Sequence, residues 1–69
     1  IDGGNIDAIN NIGNCYAAQK NYMDALTYFL KAFVKDSANS RAINNIGVTY
    51  MMLGDKAKGD YYLQKLKNQ

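Results

Sequence analysis

One hexapeptide occurs twice in this chain, and the distance between its copies constrains the fold more than any other feature. Residues 8–13 and residues 42–47 both read Ala-Ile-Asn-Asn-Ile-Gly, and a tyrosine follows three residues after each glycine. The two copies are therefore offset by 34 residues. A fixed offset in this range indicates stacked supersecondary units, each of which buries its apolar face against a neighbouring unit.

Apolar and small residues recur at three- and four-residue spacing along the chain, which predicts four helices. Asn21 is the expected N-cap of the second helix, the third helix is expected to run to about Met52, and the fourth covers about residues 56–67. Gly54 suits a left-handed C-terminal cap, and Asp55 suits the next N-cap. No stretch alternates with the period of a β-strand. The predicted fold is all-α, with four antiparallel helices in two stacked pairs.

Composition excludes several classes of function. The 69 residues allow one small domain, and a net charge of +2 is too mild to predict binding to nucleic acid. The chain has no histidine and no glutamate, so the commonest general base and metal ligand is absent. We therefore predict no enzyme activity, no catalytic residue, no cofactor and no metal site.

Cys15 is the only cysteine, so no disulfide can form within the chain. We expect it to be a buried small residue rather than a reactive thiol. No apolar run is long enough to cross a membrane, and the first residues do not resemble a signal peptide. We therefore expect no membrane contact; the compartment stays unknown, with the cytoplasm slightly favoured.

The repeated unit resembles the tetratricopeptide repeat, a helix-turn-helix of 34 residues with the pattern W-x2-L-G-x2-Y, then A-x3-F, then P. The first copy fills these positions with Ile9, Ile12, Gly13, Tyr16, Ala25 and Phe29, and the second with Ile43, Ile46, Gly47, Tyr50, Gly59 and Leu63. Ser37 replaces the closing proline. The resemblance implies an α-solenoid with repeats at 6–39 and 40–69, the second truncated, after a disordered or remnant segment 1–5.

Two expectations about packing follow from the repeat. Ile9, Ile12 and Gly13 are expected to belong to the core together with their copies in the second repeat. Gly59 stands where the family usually has alanine, and glycine in a helix interior costs about 1 kcal/mol. We therefore expect the fourth helix to be the weakest of the four.

The resemblance also implies a protein-interaction module, because members of this family usually bind a peptide in a groove lined by the first helix of each repeat. The groove positions carried over to this chain are Asn10, Asn11, Asn14, Ala17, Ala18, Arg41, Asn44, Asn45, Val48, Met51 and Met52. Asparagine can bond both the C=O and the N–H of an extended backbone, and methionine supplies an adaptable apolar floor. A carboxylate clamp of the co-chaperone type is disfavoured, because Asn10 stands where its first lysine would be.

A second interpretation is structural. The predicted second helix carries apolar residues on both sides, and the outer side of the last helix is uncovered in an array of two repeats. This interpretation predicts self-association, or stacking on further repeats, through exposed apolar residues. Those residues are Met23, Leu26, Leu30, Val34, Tyr61, Tyr62 and Leu66.

Overall fold

The structure is a computed structural model, which describes residues 5–67 and folds them into four α-helices. Helix α1 spans Ile6–Ala18, α2 spans Tyr22–Lys35, α3 spans Ser40–Met52 and α4 spans Lys56–Lys67. Helix α1 packs on α2, α3 packs on α4, and the two pairs meet mainly where α2 contacts α3. The predicted all-α fold of two helix pairs is confirmed. The expectation for residues 1–4 lies outside the described residues.

Polar side chains cap three of the four helix starts. Asn5 and Asn39 occupy matching positions, and the Oδ1 of each accepts a hydrogen bond of 2.9 Å from the backbone N–H three residues on. Asp55, the predicted N-cap of α4, accepts the corresponding bond at 3.2 Å. Asn21 differs from the expectation: its side chain makes no cap bond to the backbone of α2, and its Nδ2 donates to Oδ2 of Asp24 at 2.8 Å.

A residue with positive φ closes the turn inside each repeat. Gly54 has φ of 87°, which confirms the predicted left-handed cap, and Lys20 occupies the matching position in the first repeat with φ of 64°. In both turns this residue donates its N–H to the carbonyl three residues earlier, and the next N–H bonds the carbonyl five residues earlier. Glycine adopts this conformation without steric penalty, whereas the Cβ of Lys20 makes it unfavourable.

The core lies where α2 packs on α3. Ala25, Leu26, Phe29 and Ile46 form one buried cluster there. Within the first repeat α1 approaches α2 so closely that a Cβ atom on Gly13 would collide with the ring of Phe29. The glycine of the repeated hexapeptide is therefore required for the contact between the helices of a pair.

Matching residues of the two repeats differ in burial on one side of the first helices. Ile46 is fully buried, whereas Ile12 is 43% exposed, so the expectation that both belong to the core is wrong for Ile12. Cys15 is exposed rather than buried as expected, although its counterpart Thr49 is only 3% exposed. The reason is the same in both cases: α2 covers this side of α3, and no helix of the described part of the chain covers the same side of α1.

Candidate functional site

The predicted groove positions lie on α1 and α3, the first helices of the two repeats. Most of their side chains are accessible. The structure exposes Asn11, Asn14, Ala18, Arg41, Asn44, Val48 and Met52, and it leaves Ala17, Asn45 and Met51 half-buried.

The side chain of Asn10 was expected to line the groove, but the structure buries it. Its side chain is fully buried, and among the described residues neither Nδ2 nor Oδ1 has a hydrogen-bond partner. Asn44, the matching residue of the second repeat, is exposed. The difference arises because the second helix pair stacks on the side of α1 that carries Asn10. A ligand outside the protein therefore has no access to the Asn10 side chain in this structure.

The guanidinium group of Arg41 joins the two repeats. Its Nη1 lies 3.2 Å from Oδ1 of Asp7, and its Nη2 donates to Oδ1 of Asn11 at 3.1 Å. Both charged side chains stay largely accessible, at 49% exposure for Arg41 and 74% for Asp7. Sequence reasoning did not include Asp7 in the site. The signal was available, because opposite charges 34 residues apart occupy the same position of successive repeats.

The apolar groove positions divide into two kinds. Val48 and Met52 are 44% and 59% exposed and can contact a ligand. Met51 instead packs against α4, where a Cβ atom on Gly59 would lie 2.9 Å from its Cγ. The large apolar side chains of the groove that stay accessible are therefore Val48 and Met52.

The predicted self-association residues of α2 also fall into two groups. Leu26 is only 7% exposed and belongs to the core, and Leu30 packs against the same core. Their cover is α3 of the same chain rather than another molecule. Met23 and Val34 are 64% and 82% exposed and remain open to a partner. A shallow depression over this side of α2 is lined by Ile9, Thr27, Tyr28, Leu30, Lys31, Val34 and Lys35.

Aromatic residues connect α4 to the rest of the fold. The ring of Tyr62 stacks on Tyr50 with centroids 5.9 Å apart, and the ring of Phe33 meets it edge-on at 5.6 Å. Tyr61 is 61% exposed, whereas Leu66 is half-buried. Of the predicted self-association residues in α4, Tyr61 is therefore the most accessible.

Neither a metal centre nor a membrane span is found within residues 5–67. No three cysteine or carboxylate side chains come close enough together there to hold a metal ion. No helix in this range is both long enough and apolar enough to cross a bilayer.

The chain was compared with sequence models of known protein families. The model described as "Tetratricopeptide repeat" matches residues 6–37, which include the whole of α1 and α2. Helices α3 and α4 repeat the same arrangement with the hexapeptide in the matching place. Repeats of this family mediate protein–protein interactions and are typically not enzymes. The sequence match shows that residues 6–37 form a tetratricopeptide repeat, and α3 and α4 repeat its helix pair.

Proposed function

We propose that this interaction module binds an extended peptide segment of a protein partner along α1 and α3. The observation that carries the proposal is a set of four amide side chains on these helices, of which Asn11, Asn14 and Asn44 are exposed and Asn45 is half-buried. An asparagine amide can donate to a backbone C=O and accept from a backbone N–H. Such contacts give affinity for an extended chain that does not depend on its side chains.

Arg41 and the apolar side chains add selectivity to this surface. The guanidinium group of Arg41 is half-exposed, so it can also bond a carboxylate of the ligand. Val48 and Met52 lie on the same helix and can receive one apolar side chain. The expected ligand is therefore an extended peptide with one apolar anchor residue and one acidic residue.

The test begins with random linear peptides displayed on phage and selected against the 69-residue chain. Selected peptides are synthesised, and their affinity is measured by fluorescence anisotropy. Replacing both Asn11 and Asn45 by alanine removes two amides, and each lost hydrogen bond costs about 1 kcal/mol. The double variant should therefore bind about thirtyfold more weakly.

The control is Gln64→Ala, which removes an exposed amide from α4 rather than from α1 or α3. This variant should keep the affinity of the natural chain. Circular dichroism establishes that each variant retains its helices. Unchanged affinity of the double asparagine variant would contradict the proposal.

A second candidate function is assembly through exposed apolar surface. Val34 is 82% exposed and Met23 is 64% exposed on the outer side of α2. Two such residues on one helix side favour contact with another apolar surface. In this case the chain would act as a structural element that pairs with copies of itself or with further repeats.

Sedimentation equilibrium over a series of protein concentrations tests this second function. We expect the average mass to rise with concentration, and Val34→Asp to abolish the rise. Asn44→Asp is the control, because it places the same charge at an exposed position of α3, away from this side of α2. A monomer at every concentration would rule out self-assembly.

A further inference from the structure

The exposed residues of α2 all lie on one side of the helix. At 3.6 residues per turn they span about 120° of its circumference. We define them as the outer side of α2, which consists of Met23, Asp24, Thr27, Lys31, Val34 and Lys35. Other sides of α2 pack on α1 and α3. The outer side is thus left uncovered by the helices of the described part of the chain.

Further helix pairs stacked in the same way would not cover the outer side of α2. The second helices of the two repeats meet where the Phe33 ring contacts Tyr62 edge-on. The counterpart of Tyr62 in α2 is Tyr28, which does not belong to the outer side. A helix pair stacked before α1 would therefore contact α1 and Tyr28. An occupant of the outer side is not supplied by the repeat arrangement itself.

The outer side of α2 has one apolar edge and one ionic edge. Met23 and Val34, which are 64% and 82% exposed, lie along the apolar edge. Asp24 and Lys35 lie along the ionic edge, about 100° further round the helix. The remaining two residues lie between the edges. Apolar and charged groups are therefore separated across the width of this surface.

The outer side is complementary to itself when a second copy of α2 runs in the opposite direction. An antiparallel two-fold contact centred at position 29 places each edge against the same edge of the other copy. Met23 then lies level with Val34 of the second copy, to within one residue's rise of about 1.5 Å, and Asp24 lies level with Lys35 in the same way. The contact therefore joins two apolar pairs and two pairs of opposite charge.

Other pairings of the second helices are less favourable. A parallel two-fold contact would place the ionic edge of one copy against the apolar edge of the other and remove the charges from water without partners. In α4 the counterparts of the outer side include no carboxylate, because Lys58 stands in the place of Asp24. Two copies of that surface would present only like charges to each other, which repel. The self-complementary pattern is therefore specific to α2.

The polar groups at the centre of the outer side already have partners within the helix. Oγ1 of Thr27 donates to the backbone carbonyl of Met23 at 3.1 Å. Nζ of Lys31 lies over the ring of Tyr28, 4.7 Å from its centroid. Because Tyr28 lies beyond the ionic edge, this contact draws the ammonium group away from the centre. A second helix can therefore approach without leaving these groups unpaired.

We propose that two copies of the chain associate through the outer sides of their α2 helices, which run antiparallel. This inference rests on the second candidate function and deepens it, because it names the surface, its occupant and the relative direction of the helices. One side of a single helix is small beside the roughly 1,200–2,000 Å² of stable interfaces, so the dimer should be weak and reversible. The asparagine groove is not involved.

Disulfide trapping tests the direction of the two helices. Cys15 is the only cysteine and is exposed, so Cys15→Ser is the background. One variant carries Met23→Cys, a second carries Val34→Cys, and the two are mixed and treated with oxidised glutathione. In the antiparallel contact two copies of position 23 lie about 18 Å apart along the helix axis, and two copies of position 34 about 15 Å apart.

A disulfide requires Cα atoms within about 7 Å, so neither homodimer can form without movement of the backbone. We expect the mixed disulfide to form at least about ten times as fast as either homodimer. Mass spectrometry distinguishes the three products, because the two variants differ in mass.

Charge reversal tests the ionic edge. Asp24→Lys and Lys35→Asp each place like charges level with each other, and each should weaken association at least about tenfold. Sedimentation equilibrium from about 10 μM to about 1 mM measures the effect, since a small interface gives weak association. The double variant should restore association, because each lysine again meets an aspartate. Its charges oppose the dipole of α2, so a gain in helix stability cannot explain the recovery.

Two controls separate the ionic contact from local effects. Asp24→Lys also removes the 2.8 Å bond that Nδ2 of Asn21 donates to the carboxylate. Asn21→Ala removes the same bond and keeps the carboxylate, so it should leave association unchanged. Asp60→Lys makes the same change of charge at an exposed position of α4 and should also leave association unchanged. Circular dichroism establishes that each variant retains its helices.

Three outcomes would overturn the proposal. Homodimer disulfides that form as fast as the mixed disulfide would exclude the antiparallel direction. Association that survives both single charge reversals would place the contact elsewhere, while the second candidate function would stand. A monomer at every concentration would refute both, and the outer side of α2 would then belong to a partner of different chemistry.

Discussion

Met51 of α3 occupies the space that a methyl group on Gly59 of α4 would need. A Cβ atom built on Gly59 would lie 2.9 Å from Cγ of Met51 and 3.0 Å from its Sδ. The matching pair in the first repeat is Ala17 and Ala25. One large and one very small residue in the second repeat thus replace two small residues in the first. Gly59, which looked like a weak point in the helix, is the partner that makes room for Met51.

This relationship predicts that the cost of Gly59→Ala depends on the residue at position 51. In the natural chain the added methyl group overpacks the contact at a cost of about 1–3 kcal/mol, which exceeds the gain in helix propensity of about 1 kcal/mol. In a Met51→Ala background the clash with the methionine disappears, whereas the 3.0 Å approach to the carbonyl oxygen of Gly47 remains. The same substitution should therefore destabilise the chain less than it does in the natural chain. Urea unfolding of the four proteins of this cycle measures both effects. Equal effects in the two backgrounds would contradict the packing argument.

Lys20 is expected to limit the stability of the turn between α1 and α2. Its φ of 64° places a Cβ atom in the left-handed region, at a cost of about 1–2 kcal/mol relative to glycine. Lys20→Gly should raise the melting temperature by about 4–8 °C, measured by circular dichroism. Lys20→Ala is the control, because it removes the charge and keeps the Cβ atom. An equal rise for both variants would mean that the charge, not the backbone conformation, is responsible.

Asn10 is expected to destabilise the contact between the repeats. Its buried amide has no hydrogen-bond partner among the described residues, and such a group costs about 1–3 kcal/mol. Asn10→Leu keeps the branching of the side chain and should raise the free energy of unfolding by about 1–2 kcal/mol. The matched control is Asn44→Leu at the exposed position, with an expected change below about 0.5 kcal/mol.

Guanidinium unfolding measures both leucine variants, and Asn10→Ala accompanies them because alanine cannot overpack the site. A loss of stability in Asn10→Leu without a loss in Asn10→Ala would assign the effect to overpacking, and a loss in both variants would contradict the expectation.

The contact of Arg41 with Asp7 and Asn11 is expected to make a small, salt-dependent contribution to stability. Because both charged groups are largely exposed, Arg41→Ala should lower the free energy of unfolding by at most about 1 kcal/mol. The difference should shrink at about 1 M salt, where the Debye length is about 3 Å. Arg41→Lys keeps the charge but cannot bond both partners in a fork, so it should recover only part of the loss. A loss that is independent of salt would assign the effect to packing of the Arg41 side chain instead.

The candidate site could be predicted only in part. The family resemblance assigned Asn11, Asn14 and Asn44 to the groove side of the first helices, and the structure exposes all three; that they contact a ligand stays a prediction. It could not identify the bond between Arg41 and Asn11, because that bond depends on how far apart the two helices lie. Side-chain distances across a helix contact are set by packing, for which a single sequence gives no direct measure.

The sequence by itself determined the fold class, the four helices and most of their caps. These features depend on local chemistry and on a 34-residue offset that can be read directly from the chain. Only the tertiary structure determined which of two identical residues in the two repeats is buried. Ile46 is buried and Ile12 is exposed, while Asn10 is buried and Asn44 is exposed. Periodicity assigns a residue to one side of its helix, but its burial depends on whether another helix lies there.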